Sequence, residues 1–367
     1  MVGLLLAQVV VLTDSSNAQH TYIFSPGEPV YALGTDAVVW VHRSWTPEGD
    51  TNSLCRGFVK LHWTYNGSNW ASVDTLNYKF FGEGPDSAFS GARFPSALYA
   101  GNRPLALWTE AKIESGGWSY NRVAMCNSNL EGDTSLGHGS VVRAAAVPLG
   151  DVVLVFTRTG GTLIEAGVYD PRDDRFLSWD ELQDGAEFVD AVGEGDTAYV
   201  VYLDYGEGFC YRKVWWDGIR LRAGNPVRLK FSDYRYPDGT QLFFYGDADA
   251  TVKWGKVYLA YTLGRCMPFD TSCERFPPLS KALFVSTEDR LCTLMVFLPG
   301  TEDYLWSVQI ASPANWKPEL FVAWLQTDHI DTTVGLASYD PWFTTVSYTH
   351  LRAHETEADL VCRLLLE

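Results

Sequence analysis

The stretch "AVGEGDTAYVVYLD", residues 191–204, decides the fold. An apolar strand runs into a turn built on Gly195, and a second strand returns with an aromatic residue, Tyr202, near its middle. The same layout recurs in "YALGTDAVVWVH" (31–42), "ALYAGNRPLALWTE" (97–110), "AAVPLGDVVLVFTR" (145–158), "TVKWGKVYLAYTL" (251–263) and "SPANWKPELFVAWLQ" (312–326). The aromatics are Trp40, Trp108, Phe156, Tyr202, Tyr261 and Trp324, at spacings of 68, 48, 46, 59 and 63 residues. The first five follow a turn glycine by six or seven residues, and "ANWK" replaces that glycine in the sixth unit.

Each unit continues into a third strand and another turn. "KLHWTYNGSNW" (60–70) and "YRKVWWDGIRL" (211–221) align over Asn66-Gly67 and Asp217-Gly218, dipeptides suited to a type I′ hairpin. "TLIEAGVYDP" and "TTVGLASYDP" align over Pro171 and Pro341, where proline fits an outer strand. One four-stranded sheet cannot bury both faces alone, whereas sheets stacked radially bury each other and leave only short edges. A period of this length therefore predicts an all-β chain, a six-bladed β-propeller of four-stranded antiparallel blades. The expected blades span about 20–85, 86–138, 139–185, 186–232, 233–300 and 301–345, in one domain covering 1–345. The apolar run Leu4 to Thr13 would supply the last blade's missing strand and close the ring; a signal peptide, lacking its basic start, is the other reading of that run.

Composition sets the function classes. A 46% hydrophobic and 14% aromatic chain with fourteen Trp buries a large core. A net charge of −17 argues against nucleic acid, which needs clustered Lys and Arg. No run is long and apolar enough for a membrane helix.

The last stretch, "VSYTHLRAHETEADLVCRLLLE" (346–367), has a different texture. Read back into codons it resembles translated sequencing adapter, which implies a metagenomic read whose native C-terminus is replaced and removes His350, His354 and Cys362 from site arguments. Six cysteines remain, an even number that fits disulfides and an extracellular or cell-surface location. Cys266 and Cys273, in "CMPFDTSC", are the expected pair. No Cys/His spacing suggests zinc.

"ARFPSALYAGNRPLALWTE" (92–110) resembles the Arg-(Ile/Phe)-Pro segment of the sialidase-like superfamily of propellers with BNR, or Asp-box, repeats. The resemblance implies six blades and gives Arg93 a substrate-carboxylate role, which the fork of a guanidinium suits. Of the family's Ser-x-Asp-x-Gly-x-Thr-Trp turn, "SNLEGDTS" (128–135) keeps Ser128, Gly132 and Thr134, with Leu130 and Ser135 at the acid and tryptophan positions. The family's tyrosine nucleophile, its glutamate partner and a full arginine triad have no match. The resemblance is one of scaffold.

In a propeller, the loops after the second strands and before the first strands share the face around a central funnel. Two residues past each aromatic stand His42, Glu110, Arg158, Asp204, Leu263 and Gln326, a ring that is polar at five of six positions. First-strand entries add Arg93, His138, Arg143, Asp247 and Asp249. Asp247 and Asp249 share one side of an extended segment and could act as acid and base, hold Ca2+, or simply line a solvated turn. His138 is a candidate general base. Long inserts after the second strands of blades one and five carry Trp45 and Phe269, which could stack on sugars or anchor their own loops. "QTDHIDT" (326–332) gathers Asp328, His329 and Asp331 without metal spacing.

These features point to a secreted or surface propeller that binds a glycan or an extracellular protein at its funnel. A glycoside hydrolase with Glu110, Asp204, Asp247 or Asp249 as rim carboxylates is the alternative. A structural module of a larger surface protein is the third reading. No cofactor is required by the motifs, calcium aside.

Overall fold

A computed structural model describes residues 30–32, 37–46, 56–77, 89–114, 117–136, 143–159, 162–264, 280–298, 300–301, 303–313, 319–327, 330–331, 336–337 and 340–347. Every regular element among them is a β-strand, and the strands pair antiparallel. The chain divides into two compact units, described in turn.

The first unit holds two sheets. β1 (Val30–Ala32), β2 (Val38–Thr46), β3 (Arg56–Thr64) and β4 (Trp70–Val73) pair in chain order. So do β5 (Phe89–Ala100), β6 (Arg103–Glu114), β7 (Gly117–Asn127) and β8 (Gly132–Leu136). Alternation along β2 and β3 sends Val39, Val41, Val59 and Leu61 to one face, where they meet Ala97, Ala106, Trp108 and Ala124 of the second sheet.

The second unit stacks four sheets. The first consists of β9 (Arg143–Leu149), β10 (Val152–Thr159), β11 (Leu163–Asp170) and β12 (Arg175–Gln183). The next consists of β13 (Ala186–Glu194), β14 (Thr197–Asp204), β15 (Gly208–Trp216) and β16 (Leu221–Ala223), with β17 (Val227–Arg228) also on β15. β18 (Phe243–Lys253), β19 (Lys256–Gly264), β20 (Ser280–Ser286) and β21 (Leu291–Val296) follow. The last sheet contains β22 (Tyr304–Ala311), β23 (Glu319–Thr327) and β26 (Asp340–Ser347). The single pairing Ser280↔Leu305 joins it to β20, and β24 (Ile330–Asp331) and β25 (Leu336–Ala337) form a small ladder before β26. Apolar cores lie between each sheet and the next.

The chain is thus an all-β protein of propeller-type blades. All six landmark aromatics sit on second strands, and Trp108, Phe156, Tyr202 and Tyr261 are almost wholly buried. Burying one such side chain is worth about 2–3 kcal/mol, which is why one aromatic per repeat is a strong signal.

The turns correct two expectations. The third-to-fourth strand turns are not two-residue type I′ hairpins. Thr64 pairs with Trp70 and Trp216 with Leu221, and neither Asn66 nor Asp217 takes a positive φ. Instead the Asn66 carboxamide accepts from the N–H groups of Ser68 and Asn69, and the Asp217 carboxylate from those of Ile219 and Arg220, each closing a longer loop. Left-handed pairs occur instead at first-to-second strand turns, at Gly101-Asn102 (φ 58° and 61°) and Trp254-Gly255 (φ 53° and 72°). The alignment of "TTVGLASYDP" with "TLIEAGVYDP" also fails. The latter is third strand β11, while the third strand of the last sheet starts only at Asp340 and carries Pro341 opposite Leu325.

Leu4–Thr13, the Cys266–Cys273 pair, His138, Phe269, Asp328, His329 and residues 348–367 lie outside the described residues. Val346 and Ser347 complete β26, opposite Leu320 and Glu319. Among the described cysteines, Cys210 and Cys292 are free thiols, and Cys126 Sγ donates to the Asn127 carbonyl at 3.7 Å.

Candidate functional site

In the first unit, two candidates turn inward. His42 and Trp40 project from the same face of β2, and His62 joins them from β3. The His42 and His62 Nε2 atoms lie 3.1 Å apart with their rings nearly parallel, and both residues are buried. A hydrogen bond between two imidazole nitrogens needs a lone pair on one of them, so at least one ring is neutral. Burial lowers the His62 pKa, with Asp74 raising it in part and Lys60 lowering it further.

Glu110 stands two residues past Trp108 on β6 and is fully buried. The Trp108 indole N–H donates to its Oε1, while Oε2 lies 4.0 Å from Arg122 on β7. Burial pushes its carboxyl up to about 8, against the pull of Trp108 and Arg122. It is a proton-holding acid at neutral pH, packed in a core away from solvent. At the other end of these strands, Asn127 fills the "SNLEGDTS" turn by accepting from the N–H groups of Asn129 and Glu131 and donating to Asp174 at 2.9 Å. The Asn127 carboxamide thus does the turn-closing work for which the sequence offers no acid at position 130.

In the second unit, Asp247 and Asp249 are both 6% exposed, and neither lines a solvated turn. Asp247 accepts from the Val308 N–H (3.1 and 3.2 Å to its two oxygens) and from the Thr262 hydroxyl. Asp249 accepts from the Ile310 N–H at 2.6 Å. Burial pushes Asp247 up to about 7, against the hydrogen bonds it accepts. These carboxylates engage the first strand of the next sheet, which leaves them poorly placed as a catalytic pair or as calcium ligands. Among the described residues no group of three or more His, Cys, Asp or Glu could hold a metal ion.

The solvent-facing candidates gather where β10 and β14 end and β13 begins. Arg158 donates to Glu187 at 3.0 Å, and the Tyr205 hydroxyl reaches the other Glu187 oxygen at 3.4 Å. Tyr205 is 65% exposed. Asp204 beside it accepts from the N–H groups of Gly206 and Glu207, which fixes the turn that carries Tyr205. Burial first and Glu187 second raise the Tyr205 pKa, so its hydroxyl stays protonated and able to donate. Three elements thus present a guanidinium, a carboxylate and an aromatic ring to solvent, a set suited to sugar hydroxyls, a sugar carboxylate and a sugar face.

The remaining candidates divide. Leu263 is buried and Gln326 half-buried, opposite Leu305 and Asp340. Arg93 pairs with Thr109 beside a bulge in β5, Arg143 with Arg158, and Trp45 with Gly57; their side chains lie outside the described ones. The expected polar ring is therefore not uniform, since His42 and Glu110 point into cores while Arg158 and Asp204 meet water. Glu187 and Tyr205 were not legible as site residues. Their only signal is position, one at a first-strand entry and one just past a second strand.

No protein-family model matches the sequence, and no curated protein does. Among solved structures, the chain is similar to Trypanosoma rangeli sialidase in complex with the inhibitor DANA. That match has 10% identity and a TM-score of 0.46, and covers 91% of this chain and 56% of that one. It is similar to the subtype N10 neuraminidase-like protein of a little yellow-shouldered bat influenza virus from Guatemala, with 8% identity, a TM-score of 0.46, and 90% and 97% covered. A Dyadobacter fermentans protein of unknown function gives 11% identity, a TM-score of 0.42, and 90% and 97% covered. The chain spans less than two thirds of the length of the trypanosomal sialidases it matches. The fold itself rests on the strand pairing above.

Proposed function

We propose that this chain is a glycan-binding propeller of the extracellular space or cell surface, taking its ligand on the rim formed by Arg158, Glu187 and Tyr205. The observation that carries this reading is the Arg158–Glu187–Tyr205 cluster, an ion pair beside an exposed aromatic at the strand ends. Binding is favoured over hydrolysis because the described carboxylates proposed for catalysis are otherwise engaged. Asp247 and Asp249 accept from backbone N–H groups, Asp204 caps its own turn and Glu110 is sealed in a core. Hydrolysis needs two carboxyl groups about 5–9.5 Å apart across a substrate.

The test is a glycan array probed with the full chain, alongside a panel of aryl glycosides. Retention of one glycan class, weakened at least tenfold by Arg158→Ala and by Tyr205→Ala, is the expected result. Equal retention by both variants overturns the rim assignment. Turnover of a glycoside replaces the binding reading with the hydrolase one.

A further inference from the structure

We infer that Trp254 is the platform of a second carbohydrate-binding site, for a neutral pyranose ring, at the strand ends opposite the Arg158 rim. The first observation is conformational. Among the described residues, four first-to-second strand hairpins have two-residue tips, at Gly101-Asn102, Gly150-Asp151, Gly195-Asp196 and Trp254-Gly255. The leading residue of each takes a positive φ, and it is glycine in three and tryptophan in the fourth, at φ 53°. A bulky side chain in the left-handed region is strained, and such strain persists where the surroundings enforce it.

The second observation is what enforces it. Glu194, on the neighbouring hairpin, accepts from the Trp254 N–H at 2.6 Å and from the Gly255 N–H with its other oxygen. One carboxylate thus holds both residues of the tip. Lys253, buried apart from its reach, donates to the Pro313 carbonyl at 3.0 Å and lies 5.2 Å from the Trp254 ring centre, which steadies the indole from one side. Trp254 is nonetheless 58% exposed. An exposed indole carried on a backbone held at both tip residues is pre-organised to stack at a reduced ordering cost.

The third observation selects the ligand class. Around the tip stand Glu194 and the exposed Asp196 of the neighbouring hairpin, the Tyr199 hydroxyl beside Gly255, and Lys256, which pairs with Asp289 at 2.6 Å. An aromatic face ringed by hydrogen-bonding groups suits a sugar better than a protein surface, and the carboxylates disfavour an anionic one. This inference does not depend on the rim. Trp254 opens the second strand of its sheet, whereas Tyr205 follows the end of one.

The experiment uses the full chain labelled with 5-fluorotryptophan, the Trp254 resonance being assigned as the one lost in Trp254→Asn. Asparagine tolerates the left-handed region, so this variant keeps the hairpin, and its unfolding midpoint should equal or exceed the parent's. The probes are cellohexaose, mannohexaose and chitohexaose, with hyaluronan hexasaccharide as the anionic one. A saturable shift of the Trp254 resonance with at least one neutral probe is expected, unchanged in Arg158→Ala, together with at least tenfold weaker binding of that probe by Trp254→Asn in isothermal titration calorimetry. The inference is overturned if no neutral probe moves the resonance, if Trp254→Asn binds as the parent does, or if Arg158→Ala abolishes the shift.

Discussion

Asp249 Oδ2 lies 2.6 Å from the backbone nitrogen of Ile310, so one first strand is fastened to the next by a buried carboxylate. Asp190 makes the same contact one sheet earlier, accepting from the Ala250 N–H at 3.2 Å. Removing the acceptor leaves a buried N–H without its partner, at a cost of about 1–3 kcal/mol. Asp249→Ala should lose that much in urea unfolding. Asp249→Asn, which keeps an acceptor oxygen, should lose less. Equal losses would show that the negative charge, rather than an acceptor oxygen or side-chain bulk, holds the Ile310 N–H.

Two buried carboxyls oppose high pH. Glu110 is held up to about 8 from an ordinary value of 4.5, and Asp247 up to about 7 from 3.8. Because the folded state holds these protons more tightly, the stabilisation is complete below the unfolded values and is lost as pH rises through 7 and 8. Each contributes a slope of at most about 1.4 kcal/mol per pH unit, reached between its ordinary and its raised value. Glu110→Gln is neutral throughout, and urea midpoints at pH 5 and pH 9 should differ less for it than for the parent.

The His42–His62 pair works in the other direction. The His62 pKa is lowered from 6.5 by burial, so its contribution is present above pH 6.5 and is lost as pH falls below that value. Protonating both rings also removes the lone pair their contact needs. His62→Phe keeps an aromatic ring for Trp40 to stack on and cannot titrate. Its thermal midpoint should fall less than the parent's between pH 7 and pH 5.

Glycine replacements should separate backbone from side-chain crowding. A Cβ on Gly132 would fall 2.0 Å from the Met125 carbonyl oxygen and 2.7 Å from Cys126 Cα, neither of which can move without breaking the β7–β8 ladder. A Cβ on Gly193 meets only the Val147 and Leu149 side chains, the closest at 2.4 Å, and a rotamer change relieves that contact. Gly132→Ala should cost about 3 kcal/mol and Gly193→Ala about 1 kcal/mol, read from chemical unfolding.

The sheets were legible because each repeat spends one large aromatic and one turn on the same job, and those signals are local. The turn closures were less so. Asn66-Gly67 reads as a tight hairpin, yet the Asn66 side chain finds two backbone donors and opens the loop. The site was least legible, since polar residues at strand ends divide into cores and rims according to what the next sheet offers. Asp247 and Asp249 read as a reactive pair because nothing local announces the Val308 and Ile310 N–H groups about sixty residues on. Asp190-Ala191 and Asp249-Ala250 each begin twelve residues before their landmark aromatic, so their shared duty was written in the spacing of the repeats.

The Asp249-Ala250 dipeptide carries a plug and a socket side by side. Its carboxylate engages Ile310 while its alanine N–H receives Asp190. A unit with both can be joined at either edge to a like one without inventing a new joint. Tandem duplication of a single repeat is a short evolutionary step for this architecture.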